Sequence, residues 1–130
     1  MDGIKKATDS IELMKEYQEL KAKYDAAQAK LSSFKKMALE MGDKLAFWGS
    51  FLMAFSTVVI LATGIIALKK KLTQGVDPAV EANLKALAAT ANALITRVNA
   101  LSESGVATQA EIAEIRRIAE GLPQDPLNVL

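Results

Sequence analysis

The chain of 130 residues contains no cysteine and no histidine. Without thiols it has no disulfide framework, no thiolate nucleophile and no lipidation site, which argues against a disulfide-stapled secreted domain. Without imidazole it lacks the usual general base and, with thiols also missing, the usual zinc ligands. There is no glycine-rich phosphate loop, no Asp-rich calcium loop and no nucleophile elbow. The expectation is therefore no enzyme, no catalytic residue, no cofactor and no metal site. Excess charge is missing too: 16 basic residues face 15 acidic ones, split 9 and 8 before residue 45 and 7 and 7 after residue 68. Neither half offers the basic surface that nucleic acid requires, so no nucleic-acid partner is expected. Proline first occurs at Pro78, and Gly42 is the only glycine between Gly3 and Gly49. Nothing in that stretch compels a helix to break.

What the chain does possess is one long uncharged run, LAFWGSFLMAFSTVVILATGIIAL, whose 24 residues lie between Lys44 and Lys69. At about 1.5 Å per residue it would extend roughly 36 Å, against a hydrocarbon core of about 30 Å. A transmembrane helix over 45–68 is predicted. The hydroxyls of Ser50, Ser56, Thr57 and Thr63 can bond back to helix carbonyls and so cost little in lipid. Phe47 and Trp48, after Lys44, are placed at headgroup level at the first end, and Lys69, Lys70 and Lys71 close the second. A buried helix of a soluble core is disfavoured, because 130 residues are not expected to wrap such a helix all round. The run starts too late and is too long for a cleaved signal peptide, so it is expected to be a retained, single-pass anchor. Basic residues near the two ends almost balance, which leaves orientation open. With no ionisable group in the run, a proton relay within one chain has nothing to operate on. Ala46, Ser50 and Ala54, four apart, form a possible close-packing face.

Before the run, apolar or small residues recur at alternating steps of four and three: Leu13, Tyr17, Leu20, Tyr24, Ala27, Leu31, Phe34, Ala38 and Met41. This is a heptad seam, expected over residues 1–44 as an amphipathic, coiled-coil-like helix. Its register continues through Leu45, Trp48, Leu52 and Phe55, which predicts one helix from about 4 to about 72, on the order of 100 Å long. Tyrosine and phenylalanine at seam positions fit poorly in a tight parallel dimer, so a partner protein or the membrane surface is expected to receive the stripe.

After a basic stop and turn at 69–76, Asp77 and Pro78 supply a capping carboxylate and a ring already fixed at helical φ. A helix over about 78–103 follows, with a seam of Val80, Leu84, Leu87, Ala91, Leu94, Val98 and Leu101. Ser104 and Gly105 end it, and Thr108 with Glu111 makes a capping box for a shorter helix over about 108–120 carrying Ile112 and Ile115. Within 77–121 these helices form either a hairpin or a straight pair, and the local capping signals favour the hairpin. The tail 122–130 contains two prolines and is expected to be disordered or to dock on a neighbour as an extended peptide.

Taken together, the fold class is all-α: a single-pass protein with helical flanks on both sides of a bilayer. Small size, no cysteine, one central span at Leu45 to Leu68 and helical flanks resemble the minor membrane structural proteins of icosahedral phages with an internal lipid membrane. That resemblance, which is one of layout, implies a corticovirus-like virion protein fastening capsid to membrane, and carries no catalytic residues with it. The expected partners are lipid and other membrane or capsid proteins met through the helical seams, in an oligomeric assembly in the virion internal membrane or the bacterial inner membrane. An accessory subunit of a large membrane complex, or a single-span phage holin, are the alternatives; a membrane-anchored signal coupler would need a sensor or output domain that is not present.

Overall fold

A computed structural model describes the backbone of residues 2–40, 45–72 and 75–128. Among these residues every regular element is helical: α1 (Asp2–Glu40), α2 (Leu45–Lys71), α3 (Pro78–Ser104), α4 (Gln109–Glu120) and a short 3-10 turn at Pro126–Asn128.

The helix ends follow local chemistry. The Asp77 carboxylate accepts from the Ala79 N–H at 2.9 Å, and Pro78 opens α3. Gly105, with φ of 68°, closes α3 in the left-handed conformation that lacks a penalty only for glycine. Thr108 and Glu111 then form the reciprocal capping box that opens α4. A turn this tight folds α4 back, and the Arg97 guanidinium donates to the Glu114 carboxylate at 3.0 Å across the pair.

The long helix over 4–72 is corrected. Instead of continuing one another, α1 and α2 lie side by side and antiparallel: Leu20 faces Gly64, while Ala27 and Phe34 lie beside Ser50, Ala54 and Thr57. The physical reason is the seam itself. A rod in water would leave the α1 stripe and the whole surface of α2 exposed, whereas folding them together removes the stripe and the facing side of α2 from water at about 25 cal/mol per Å² of apolar area. Tyr24, Leu31 and Ala38 are buried, and Tyr17, Leu20, Ala27 and Phe34 are partly buried against the same core. Leu13 is half-exposed near the outer end. Met41 and Lys44 lie outside the described residues.

On the other side of α2, α3 packs antiparallel, with Leu84 near Ile66 and Val98 near Gly49. A Cβ at Gly49 would sit 3.2 Å from Val98 Cγ1, so the missing side chain is what admits α3 at that point. From the α3 seam Leu84, Ala91, Leu94 and Val98 are buried, and Val80, Leu87 and Leu101 are partly buried. From α4, Ile115 and Ala119 are buried and Ile112 is half-exposed. Over its described residues the tail lies on the bundle. Leu122 and Pro126 are buried, and the segment packs beside Leu31 of α1 and Phe51 of α2.

Candidate functional site

The chemistry-bearing part of this molecule is α2 together with what covers it. One helix, Leu45–Lys71, is long and apolar enough to cross a bilayer, although the core helix of a water-soluble bundle would meet the same test, and half of its most apolar stretch is buried. Three of its sides are occupied. α1 runs along the side bearing Ala54 and Gly64, α3 along the side bearing Gly49 and Ile66, and the end of α4 with the tail covers Phe51. The chain thus wraps more of the helix than its length led one to expect, but not all of it.

The fourth side is open. Ala46, Met53, Thr57, Ile60, Thr63 and Ala67 recur at helical spacing and are exposed, Met53 to 64% and Ile60 to 67%. Two shallow apolar grooves flank this stripe: one of about 340 Å³ bordered by Phe34 and Lys30 of α1, the other of about 360 Å³ bordered by Leu84 and Lys85 of α3. Ser50 donates to the Ala46 carbonyl at 3.2 Å, Thr57 to Met53 at 3.1 Å and Thr63 to Val59 at 2.9 Å. These hydroxyls are satisfied by the helix itself, as the sequence predicted, and need no water. Of the small residues Ala46, Ser50 and Ala54, the last two border the first groove beside Ala27 and Phe34 of α1, and Ala46 is exposed.

At the ends of α2 the expected interface residues divide. Lys69 is half-exposed, Lys71 is exposed, and Lys70 forms an ion pair with Glu81 that ties the end of α2 to the start of α3. Phe47 is half-buried. In this bundle the Trp48 ring is fully buried, edge-on to Phe51 at 5.5 Å and 77°. The approach of α3 at the neighbouring Gly49 helps to make this turn core. The cost is visible, because among the described residues the Trp48 Nε1–H has no hydrogen-bond partner. A buried donor left unpaired costs about 1–3 kcal/mol.

A polar cluster that the heptad pattern did not announce holds α1 in place. The Tyr24 hydroxyl donates to the Asp125 carboxylate and accepts from the Leu127 N–H at 3.4 Å. One turn later, Gln28 Nε2 donates to the Gln124 carbonyl at 3.1 Å. Lys21 lies 5.0 Å from the Tyr24 ring centre and 3.6 Å from Asp25. In the sequence, the sole hint was a tyrosine at a buried seam position, whose hydroxyl must find a partner. Which partner could not be read, since Asp125 is 101 residues away.

Burial first, then the hydrogen bond to Asp125, hold the Tyr24 phenol well above the ordinary tyrosine range, against a smaller opposing effect of the Leu127 N–H. The folded state therefore keeps a proton that the unfolded chain releases near pH 10. Its contribution to stability is complete below that pH and declines as pH rises, by up to about 1.4 kcal/mol per unit. In a Tyr17→Phe variant, where Tyr24 is the remaining phenol, absorbance titration should show ionisation delayed past the ordinary range and coincident with unfolding. Ionisation at the ordinary pH in the folded protein would mean the cluster is not formed. On the exposed α3–α4 surface, Arg97 holds the Glu114 carboxyl below its usual range.

Among the described residues no three acidic groups are arranged to hold a metal ion. No protein-family model, curated protein or solved structure matches the chain.

Proposed function

We propose that this is a membrane-associated structural protein, with α2 as its membrane segment and its helical flanks as binding surfaces for partner proteins on the two sides of a bilayer. In its most specific form it is a virion protein that joins a capsid to an internal membrane. The observation that carries the membrane assignment is that the 45–68 run of α2 is uncharged on every side. A core helix of a water-soluble bundle ordinarily turns charge toward solvent, yet the open side of α2 shows Met53, Ile60 and self-satisfied hydroxyls across the 24-residue run.

The bundle does not enter lipid intact. α1 carries Lys15, Lys21, Lys23, Lys30, Lys35 and Lys36 along its length, and each lysine at mid-bilayer costs about 2.5–3.5 kcal/mol. α2 crosses alone, therefore, and its neighbours stay in water. Because α1 precedes one end of α2 and α3 follows the other, insertion places them on opposite sides of the bilayer. It also frees the seams of Tyr24, Leu31 and Ala38 on α1 and Leu84, Leu94 and Val98 on α3 for protein partners.

Two measurements test this. The full-length protein should float with lipid vesicles and resist extraction at alkaline pH, and protein that stays in the soluble fraction under all lipid compositions would end the membrane assignment. Mass spectrometry of the native particle that co-purifies with it should find capsid and membrane proteins. Expression that arrests growth and releases cytoplasmic contents would instead favour the holin and remove the scaffold.

A further inference from the structure

We infer that the bundle is a closed form in which α1 covers the lipid-facing surface of α2, and that a clasp between Tyr24 and the C-terminal segment must open before α2 enters a bilayer. This rests on the membrane assignment above and concerns how that same helix is regulated.

Three independent observations converge on it. First, the polar ties that join α1 to the tail are concentrated at one place: the Tyr24 hydroxyl meets Asp125 and the Leu127 N–H, and Gln28 meets the Gln124 carbonyl. The buried Leu122 and Pro126 anchor the tail on the bundle beside these bonds. The segment thus straps α1 down near its middle. Second, the surface that α1 covers is as uncharged as the surface left open, so it is suited to acyl chains once α1 departs. Third, Trp48 is buried with its Nε1–H unpaired among the described residues. In the inserted helix it would stand at the first membrane interface, where an indole finds both an apolar medium and hydrogen-bond acceptors. The closed form leaves this donor wanting, and the inserted form satisfies it.

Release of α1 exchanges one apolar cover for another. The α2 surface passes from the α1 seam to lipid, while the strap keeps the exchange from happening in water, where exposure of both surfaces is unfavourable. Opening thus requires a bilayer close at hand. The exposed Met53 and Ile60 on the uncovered side supply the first apolar contact with it.

The absence of cysteine permits a direct test. A Cβ at Gly64 would lie 3.5 Å from Leu20 Cδ1, so Leu20→Cys with Gly64→Cys, bridged by an oxidised disulfide or a short bis-methanethiosulfonate cross-linker, locks α1 onto α2. The full-length variant is mixed with vesicles of phosphatidylcholine and phosphatidylglycerol, some brominated near the headgroup. Flotation and quenching of Trp48, the single tryptophan, are followed. Reduced protein should float and be quenched, and the locked protein should do so at least about tenfold less. Independently, Asp125→Ala should speed insertion of the cysteine-free chain by about tenfold, as expected for losing a charge-assisted hydrogen bond. Equal insertion of locked and reduced protein, or an unchanged rate for Asp125→Ala, would overturn the clasp while leaving α2 as a membrane segment. Failure of the unmodified chain to float would overturn both.

Discussion

Ile60→Lys should leave the bundle standing and exclude it from a bilayer. The side chain is 67% exposed and lies near the middle of α2. Lysine is at least as good a helix former as isoleucine, and substitutions at exposed sites away from special features usually stay within about ±0.5 kcal/mol. Thermal or denaturant unfolding in water should therefore barely change. In lipid the same change replaces a side chain worth about −0.6 kcal/mol by one costing about 3 kcal/mol, a loss of over a hundredfold in partition. Vesicle flotation should fall accordingly. A water-soluble bundle with an apolar core would show no loss of flotation, since it does not float to begin with. Flotation of the lysine variant at the unmodified level would mean that lipid does not contact α2 at this position.

Phe55→Ala should do the reverse. Phe55 is fully buried on the covered side of α2, and removal of a phenylalanine from a packed core costs about 3–5 kcal/mol. A domain of this kind has about 5–15 kcal/mol in total, so the loss is a large part of its stability. Unfolding followed by Trp48 fluorescence should move to markedly lower denaturant. In the inserted helix, by contrast, Phe55 faces acyl chains or a partner, and the change is limited to the roughly 0.3–0.6 kcal/mol that phenylalanine itself contributes to insertion. Insertion should thus be preserved or enhanced while the closed form weakens. Equal loss of both would mean that bundle and bilayer do not compete for the same surface of α2.

These opposite outcomes come from one geometric fact, that α2 has a covered side and an open side of the same chemistry. Hydrophobicity along the chain marks α2 but cannot distinguish Ile60 from Phe55, because both are apolar members of one uncharged run. Only their burial separates them.

Much of the architecture was legible residue by residue. The ends of α3 and α4 were readable from Asp77, Pro78, Gly105, Thr108 and Glu111, because a cap acts within a few residues of itself. The buried stripes on α1 and α3 were readable from heptad spacing, because side chains at that period share a face whatever they meet. The back-bonding of Ser50, Thr57 and Thr63 was equally local. By contrast, three features turn on long-range contacts. The seam of α1, expected to meet a partner protein or the membrane surface, lies on α2 of the same chain. Trp48, expected at headgroup level, is fully buried beside Phe51. The tail, expected to be disordered or to dock on a neighbour, meets Tyr24 through Asp125 and buries Leu122.

These features share a cause. Helix formation, capping and facial periodicity depend on neighbours up to about four residues away, and their signals survive in one dimension. Which helix covers which depends on total apolar area withdrawn from water and on close approaches such as Gly49 to Val98 and Gly64 to Leu20. A continuous register from Leu13 to Phe55 is as consistent with a rod as with a hairpin, since the same faces are apolar in both. Composition settled that the run 45–68 within α2 carries no charge and that its flanks carry many. Only the folded chain settled that those flanks lie against α2, because the choice turns on contacts between residues 44 and 101 positions apart.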